Sequence, residues 1–465
     1  MKRTALLCAL LLALVTGCSL DSGSGSANEV TVVVGYQSKT INTVTAGTLL
    51  RAQGYLEKRL GEVTSRTGTK YTVQWQDYDT GAPITAQMLA EKIDIGSMGD
   101  YPLLINGSRT QANDKARTEL VSITGYNAKG ALNMVVVPPN SLITELPELK
   151  DKKVSASVGS AGHGTLVRAL RNDGLDPTKD VEVLNQQPQV GASALESGQV
   201  QALSQFVAWP GLLVFQKKAK LLYDGAELNV PTFHGVVVRR DYAKQHPEVL
   251  DAFLQAQLDA TDFIHDTPLD AARIVAEGSG LPQEVVYLYN GPGGTSFDTT
   301  LKSSLIDAFT SDVPYLKSIG DFADLNIDEF VQDGPLRQAY TSRAKSYETE
   351  LAAKVNPLVL HPAGGADPEQ AAEIWFDGKD STQVYGTAQE LLRAVNVANA
   401  AGQKVRAAYV ADTELGTRWF ADHAWWVRDS AGLHPFTTSA GATRYVGAHP
   451  GATPLDYPQA LAAAS

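Results

Sequence analysis

The run Val30-Thr31-Val32-Val33-Val34-Gly35-Tyr36, and the pattern that starts there, limits the folds open to this chain more than any other feature. It is almost wholly β-branched, with no polar residue at every second position. Such a strand has to be buried on both faces, and strands buried on both faces belong to parallel sheets covered by helices. A helix is expected at residues 45–60, where Leu49, Leu50, Leu56 and Leu60 share one face and Gly61 lies near the end. Residues 70–77 then alternate as a strand, 83–92 read as a helix, and Ile93-Asp94-Ile95-Gly96 as a short strand. This βαβαβ order predicts a mostly parallel sheet with helices on both faces and ligands at the carboxyl ends of its strands.

A second group of elements starts at Asn133. Strands are expected at 133–138 and 153–158, the latter entering the turn Gly159-Ser160-Ala161-Gly162-His163-Gly164. A helix at 165–172, a strand at 181–184, a helix at 192–197 and a strand at 202–206 follow. Residues 233–239 read as a strand able to return to the first sheet, before helical patterns at 247–264, 269–277 and 301–308. The chain is therefore read as α/β, with one lobe from residues 29–132 and 238–353 and a second from 133–237. Two crossovers would make a hinge, with a cleft for a small ligand between the lobes. Composition changes near Val355-Asn356-Pro357. Residues 354–465, with strands at 372–376 and 404–410 and a helix at 388–399, are read as a separate small α+β domain that leaves the two lobes self-sufficient.

The first residues are a basic start, an apolar run over 5–15 and the quartet Val15-Thr16-Gly17-Cys18, followed at once by polar 19–28. The run is shorter than the roughly 20 apolar residues of a spanning helix, so residues 1–17 are expected to be an export signal. The quartet resembles the lipobox of bacterial lipoproteins. That resemblance implies a lipid on Cys18, a tether over 18–28, and an extracytoplasmic protein anchored to the cell membrane. The other cysteine, Cys8, lies inside the signal, so no intramolecular disulfide is expected, and the chain is long enough to do without one. The net charge of −12 makes a poor partner for nucleic acid. Local N–H dipoles can still hold one small anion.

The segment Asp94-Ile95-Gly96-Ser97-Met98-Gly99-Asp100-Tyr101-Pro102-Leu103 resembles the signature strand and loop of the nitrate, sulfonate and taurine family of ABC-transporter substrate-binding proteins. Gly35-Tyr36-Gln37 and the turn at Gly159–Thr165 fall where that family has its binding loops. Over roughly residues 30–353 the resemblance implies a two-lobed type II periplasmic-binding-protein fold that closes on a small sulfonate or nitrate-like oxyanion and delivers it to a membrane permease. An enzyme of the same fold, making a thiamin pyrimidine precursor, is the alternative; its cysteine-rich motif is absent. The tail, with Arg418-Trp419-Phe420-Ala421-Asp422-His423-Ala424 and Leu433-His434-Pro435-Phe436, resembles the copper-chaperone accessory proteins of nitrous-oxide reductase. Cu(I) selects soft sulfur ligands, yet no methionine follows Met134 and no cysteine follows Cys18.

The turn into the helix after Gly159 carries the chemistry expected of an anion site. Unpaired N–H groups at a helix start face outward and the helix dipole adds positive potential. Ser160, Gly162, His163, Gly164 and Thr165 belong to this turn, which taken alone reads as a tight strand-to-helix connection and in the context of the family resemblance as the anion site. Across the cleft are expected Gln37 and Thr40, then Ser97, Met98, Gly99 and Asp100. Asp100 either orients a neighbour, caps a turn or meets a ligand amino group. Tyr126 and Trp209 are candidate walls or core residues, and Gln187 and Gln205 are further donors. His234 reads as a packed histidine. No catalytic template is met: Ser160 and His163 share one turn, and neither Gly-x-Ser-x-Gly nor His-Glu-x-x-His occurs. No cofactor is implied. In the tail His423, His434 and His449 read as surface residues or as a borderline metal site, the third reading being a metal-binding or partner-docking unit carried by a receptor-like body.

Overall fold

The valine run does form a buried strand, β1 (Glu29–Tyr36), in which Val32 and Val34 are excluded from solvent. The structure, a computed structural model, describes residues 29–320, 322–353 and 358–464. Cys18, the signal at 1–17, the tether at 18–28 and the break at 355–357 lie outside the described residues. The first sheet adds β2 (Lys70–Asp77), β3 (Ile95–Gly99), β4 (Thr118–Asn127) and, from much later, β10 (Thr232–Arg239). Its order is β2-β1-β3-β10-β4; β1 runs parallel to β2 and β3, and β10 antiparallel to β3 and β4.

The second sheet contains β5 (Asn133–Val137), β6 (Lys153–Ala156), β7 (Glu182–Asn185), β8 (Ala202–Phe206) and β9 (Lys220–Asp224), in the order β7-β6-β8-β5-β9. Here β5 is the antiparallel strand. The chain passes between sheets twice, from β4 to β5 and from β9 to β10. Two five-stranded sheets, each with one reversed strand, joined by two crossovers, are the type II periplasmic-binding-protein architecture. One boundary moves: all of β10 pairs in the first sheet, so the second lobe ends before Thr232 and not at residue 237. The single helix expected over 45–60 is instead a 3-10 turn Ile41–Ala46 and helices Thr48–Ala52 and Tyr55–Thr67, parted at Gly54, whose φ of 64° suits glycine.

The tail forms two small antiparallel sheets. β11 (Ala372–Phe376), β12 (Thr382–Tyr385), β13 (Val405–Ala411) and β14 (Arg418–Phe420) have the order β12-β11-β13-β14. β15 (Trp425–Arg428), β16 (Leu433–Phe436) and β17 (Thr453–Leu455) have the order β16-β15-β17. Helices Ala388–Ala400, Ser439–Ala448 and Tyr457–Ala463 cover them. Ile374, Leu391, Val410 and Trp426 make a core belonging to this unit alone. Trp375, Tyr409, Trp419 and Phe420 point the other way, into the core of the two lobes, so the tail is α+β as expected but is not a detached domain.

Candidate functional site: the cleft between the lobes

The carboxyl ends of β1 and β3 bring residues 37–40 and 97–99 together, as ligand loops in such sheets are. Gln37 Nε2 donates to the Ser97 carbonyl at 3.0 Å, and its Oε1 accepts from Thr40 Oγ1 at 3.3 Å. Gln37 therefore ties the two loops to each other, with both ends of its amide engaged inside the first lobe. Ser97 is buried, and its hydroxyl has no hydrogen-bond partner among the described residues. Beside it the Asn42 amide lies 2.6 Å from His234 Nδ1 in β10. With the amide nitrogen on that side as donor, the imidazole proton sits on Nε2. Gly99 makes room for this ring: a β-carbon there would lie 2.9 Å from His234 Nε2 and 3.3 Å from Ala161 of the second lobe.

On the opposite wall β6 leads into the helix Ala161–Asn172. Ser160 is its N-cap, with Oγ accepting from the His163 N–H at 3.2 Å, and the Ser160 carbonyl accepts from the Gly164 N–H at 3.0 Å. The N–H groups of Ala161 and Gly162, one turn earlier, have no helical carbonyl behind them. His163 Nδ1 accepts from the Gly159 N–H at 3.2 Å, so this imidazole too carries its proton on Nε2. Burial pushes the His163 pKa down to about 4 and that of His234 down to about 3. Both rings are neutral donors near pH 7. Gln205 in β8 places one end of its amide 3.0 Å from Ser157 Oγ and leaves the other end without a partner among the described residues.

The lobes are closed on one another. The Lys39 carbonyl accepts from the Ala208 N–H at 3.4 Å, and the Lys39 ammonium stands 5.8 Å from the ring centre of Trp209. The Tyr101 ring fills the space a side chain at Gly164 would need. Arg168 Nη1 of the second lobe meets Asp312 Oδ1 of the first at 2.9 Å, and the Tyr101 hydroxyl donates to the same oxygen at 3.1 Å.

Several expected ligand residues have other work. Met98 packs with Ile84 and Met88 inside the first lobe, under the helix and away from the cleft. Asp100 Oδ2 accepts from Thr232 Oγ1 at 2.6 Å and from the Phe233 N–H, and Oδ1 from the Tyr101 N–H. It is a cap and a clamp on β10. Thr165 borders a small space shared with Asp100, Arg168 and Asp312. Tyr126 packs inside the first lobe; burial and the nearby Asp298 push its pKa up to about 12. Gln187 is exposed at the start of the helix Pro188–Glu196. Gly162 is pressed on the β8 backbone, where a β-carbon would come 2.6 Å from the Gln205 carbonyl carbon.

Ser97, Gly99, His163, Gln205 and Trp209, together with Lys39, Asn42 and His234, are the candidate ligand contacts, and Thr165 borders the small space between the lobes. Lys39 lies between two residues the sequence did indicate, and a cation in a strand-end loop was the available signal. Asn42 and His234 meet across 192 positions, which no local pattern displays. In the tail, His434 Nε2 pairs with Asp429 at 2.9 Å, His449 stacks on Tyr445 at 3.8 Å, and His423 lies 3.7 Å from Asp422. His434 and His449 both lie against the Tyr445 ring, His434 at 5.2 Å between ring centres, and no group of three or more metal-capable side chains occurs among the described residues.

Residues 104–271 match a family model described as NMT1/THI5 like. Over 192 residues the chain is 29% identical to the taurine-binding periplasmic protein of Escherichia coli, a match that covers 41% of this chain and 56% of that one. It is 26% identical over 284 residues to a putative aliphatic sulfonates-binding protein of Escherichia coli, covering 61% and 82%. In fold it is similar to the alkanesulfonate-binding protein of Xanthomonas axonopodis pv. citri bound to MOPS, with TM-score 0.54 and 23% identity, covering 65% of this chain and 98% of that one. The two-lobed body of this chain is thus related in sequence to taurine- and sulfonate-binding periplasmic proteins and shares their fold.

Proposed function

We propose that the chain is the lipid-anchored, extracytoplasmic solute-binding protein of an ABC importer, and that it closes on a small sulfonate or a nitrate-like oxyanion and delivers it to the permease. The observation that carries this reading is the chemistry of the cleft walls. One wall offers the His163 Nε2–H and the open N–H groups at a helix start, the other the His234 Nε2–H and the unpartnered Ser97 hydroxyl. Neutral donors in a desolvated gap suit an oxyanion that is always ionised, because they stabilise its charge without one of their own that must be matched when the cleft is empty. The Lys39 ammonium adds positive potential at the edge. Relatives named for taurine and aliphatic sulfonates support the same ligand class.

Among the described residues of the cleft, Ser160 and His163 do not assemble an enzyme's nucleophile. Ser160 Oγ is engaged with its own turn and His163 accepts from Gly159, so the serine–base contact needed for activation is missing between them. The chain binds and releases, and closure is the step in which the ligand shifts the balance between open and shut lobes.

Titration calorimetry with taurine, ethanesulfonate and nitrate tests the reading. Binding of at least one is expected. His163→Ala should weaken it by about tenfold or more, since a hydrogen bond to a charged group is worth about 1.5–3 kcal/mol, and Ser97→Ala by about fivefold. Failure of all three, and of sulfate, to bind at millimolar concentration would remove the oxyanion reading. For the anchor, mass spectrometry of the protein from its native membrane should find diacylglycerol joined to the Cys18 sulfur, and Cys18→Ala should leave the protein unanchored or its precursor uncut.

A further inference from the structure

The tail unit is docked on both lobes at once. Toward the first lobe, the Tyr409 hydroxyl donates to the Glu284 carbonyl at 3.0 Å, and Arg406 donates from Nε to Glu284 Oε1 at 2.6 Å. Tyr287 OH donates to the buried Glu373 at 3.2 Å, and Arg418, also buried, pairs with Glu373 and donates to the Pro292 carbonyl. The helix that carries Glu284 and Tyr287, Gln283–Asn290, is held to the first lobe by Asn290, whose amide donates to the Ile41 carbonyl at 2.9 Å.

Toward the second lobe the same unit places Phe420 against Phe215, ring centres 5.4 Å apart, and Arg444 3.3 Å from Glu227. The Thr437 hydroxyl lies 3.2 Å from Asp224, the last residue of β9. Between the two footprints Lys129, in the first crossover, donates to the Leu415 carbonyl at 2.9 Å. The aromatic path from one lobe to the other is continuous: Phe215 to Phe420, Phe420 to Tyr409 at 5.7 Å, and Tyr409 to Tyr287 at 5.6 Å.

From this we infer that the tail unit is an interlobe brace, which holds the two lobes near their closed arrangement and limits how far the cleft opens. Opening turns one sheet relative to the other about residues 128–132 and 225–231. A unit bonded to both sides of that axis has to release one footprint before the turn is complete. The second-lobe footprint is the one that yields. Thr437 has a single hydroxyl proton and faces two carboxylates, Asp224 at 3.2 Å and Asp412 at 3.1 Å, while Arg444 is half exposed and shared between Glu227 and Glu414. The first-lobe footprint rests instead on the buried Arg418, which donates to the Pro292 carbonyl and lies over the Tyr287 ring, on the Tyr287–Glu373 hydrogen bond and on the contact between the Tyr287 and Tyr409 rings.

The brace is tested without any ligand, so its failure is separate from failure of the solute-binding reading. Spin labels at Asp79→Cys, beyond β2, and Gln189→Cys, beyond β7, in the full chain with Cys8→Ser and Cys18→Ser, report the distance across the cleft by pulsed dipolar spectroscopy. Both positions are exposed. The native brace should give one narrow distance. Thr437→Val combined with Arg444→Glu should add a longer-distance population. Arg444→Glu alone disturbs no buried group and should shift the distribution the same way to a smaller extent, which keeps the test valid if the double variant fails to fold. An unchanged distribution in a folded variant, or long distances already populated in the native chain, overturns the brace.

Discussion

Gly162 and His163 are neighbours in one turn with different tasks. With the β8 backbone 2.6 Å from where its β-carbon would be, Gly162 is a packing requirement. Gly162→Ala should therefore lower stability by about 1–3 kcal/mol, read from denaturant unfolding, with any loss of solute affinity following from the displaced helix. His163 is held neutral by burial, its pKa near 4 against the usual 6.5. Solute affinity should then be flat from about pH 5 to 8, where an ordinary histidine would impose a step; calorimetry across that range checks it. Stability behaves differently. The unfolded chain takes up a proton that the folded one excludes, so this residue's contribution is full above pH 6.5 and is lost as pH falls toward 4. The glycine-rich turn is legible in the sequence; that the helix starts at Ala161, four residues before the expected 165, with Ser160 as its cap and β8 beneath Gly162, is not, because it depends on packing between elements distant in sequence.

Among the elements, the valine-rich strands and the longer amphipathic helices announce themselves, whereas β4 does not. Its Ser122 and Thr124 look like surface residues but are buried: Ser122 donates to Gln257 and Thr124 to the Asn42 carbonyl, partners 135 and 82 positions away. Strands of three or four residues in the tail are too short to show a period of two. The contact of β9 with the tail carries its own prediction. Burial pushes the Asp224 pKa up to about 7, with Asp412 adding to the shift, while Thr417 and Thr437 oppose it; Glu227 with Arg444, Tyr223 and Tyr289 are the other titratable neighbours. Protonated, Asp224 can donate to Thr437, which can then donate to Asp412. A folded-state pKa above the unfolded 3.8 means that this stabilisation is complete below about pH 4 and is lost as pH rises to about 7. The melting temperature of Asp224→Asn should lack that decline, so the difference between variant and native chain should grow in the variant's favour from pH 5 to 8.

At the scale of the whole molecule, the composition break near residue 356 predicts a boundary between independent parts, whereas the tail shares an apolar core with the lobes. Trp375, Tyr409, Trp419 and Phe420 belong to the same apolar core as the lobes. A chain ended at Ala353 should expose the faces of Tyr287 and Phe215, lose melting temperature and tend to associate, as size-exclusion chromatography would show. Full stability and unchanged solute affinity in that fragment would restore the picture of self-sufficient lobes. The sequence could not show this because an aromatic residue facing its own sheet and one facing a neighbouring unit have the same pattern along the chain. The two crossovers and the two-lobed plan were visible, since they follow from strand order alone.

The shared anchorage of both cleft walls in a third unit has a kinetic meaning. A receptor that gapes freely fills and empties on its own and reaches the transporter as chance dictates. One whose walls are moored exchanges its ligand slowly in both directions, and on the proposed reading a captured solute would stay captured until the protein meets its permease. Unloading would then cease to be a spontaneous event, and the work of prising the walls apart would pass to the proposed permease partner.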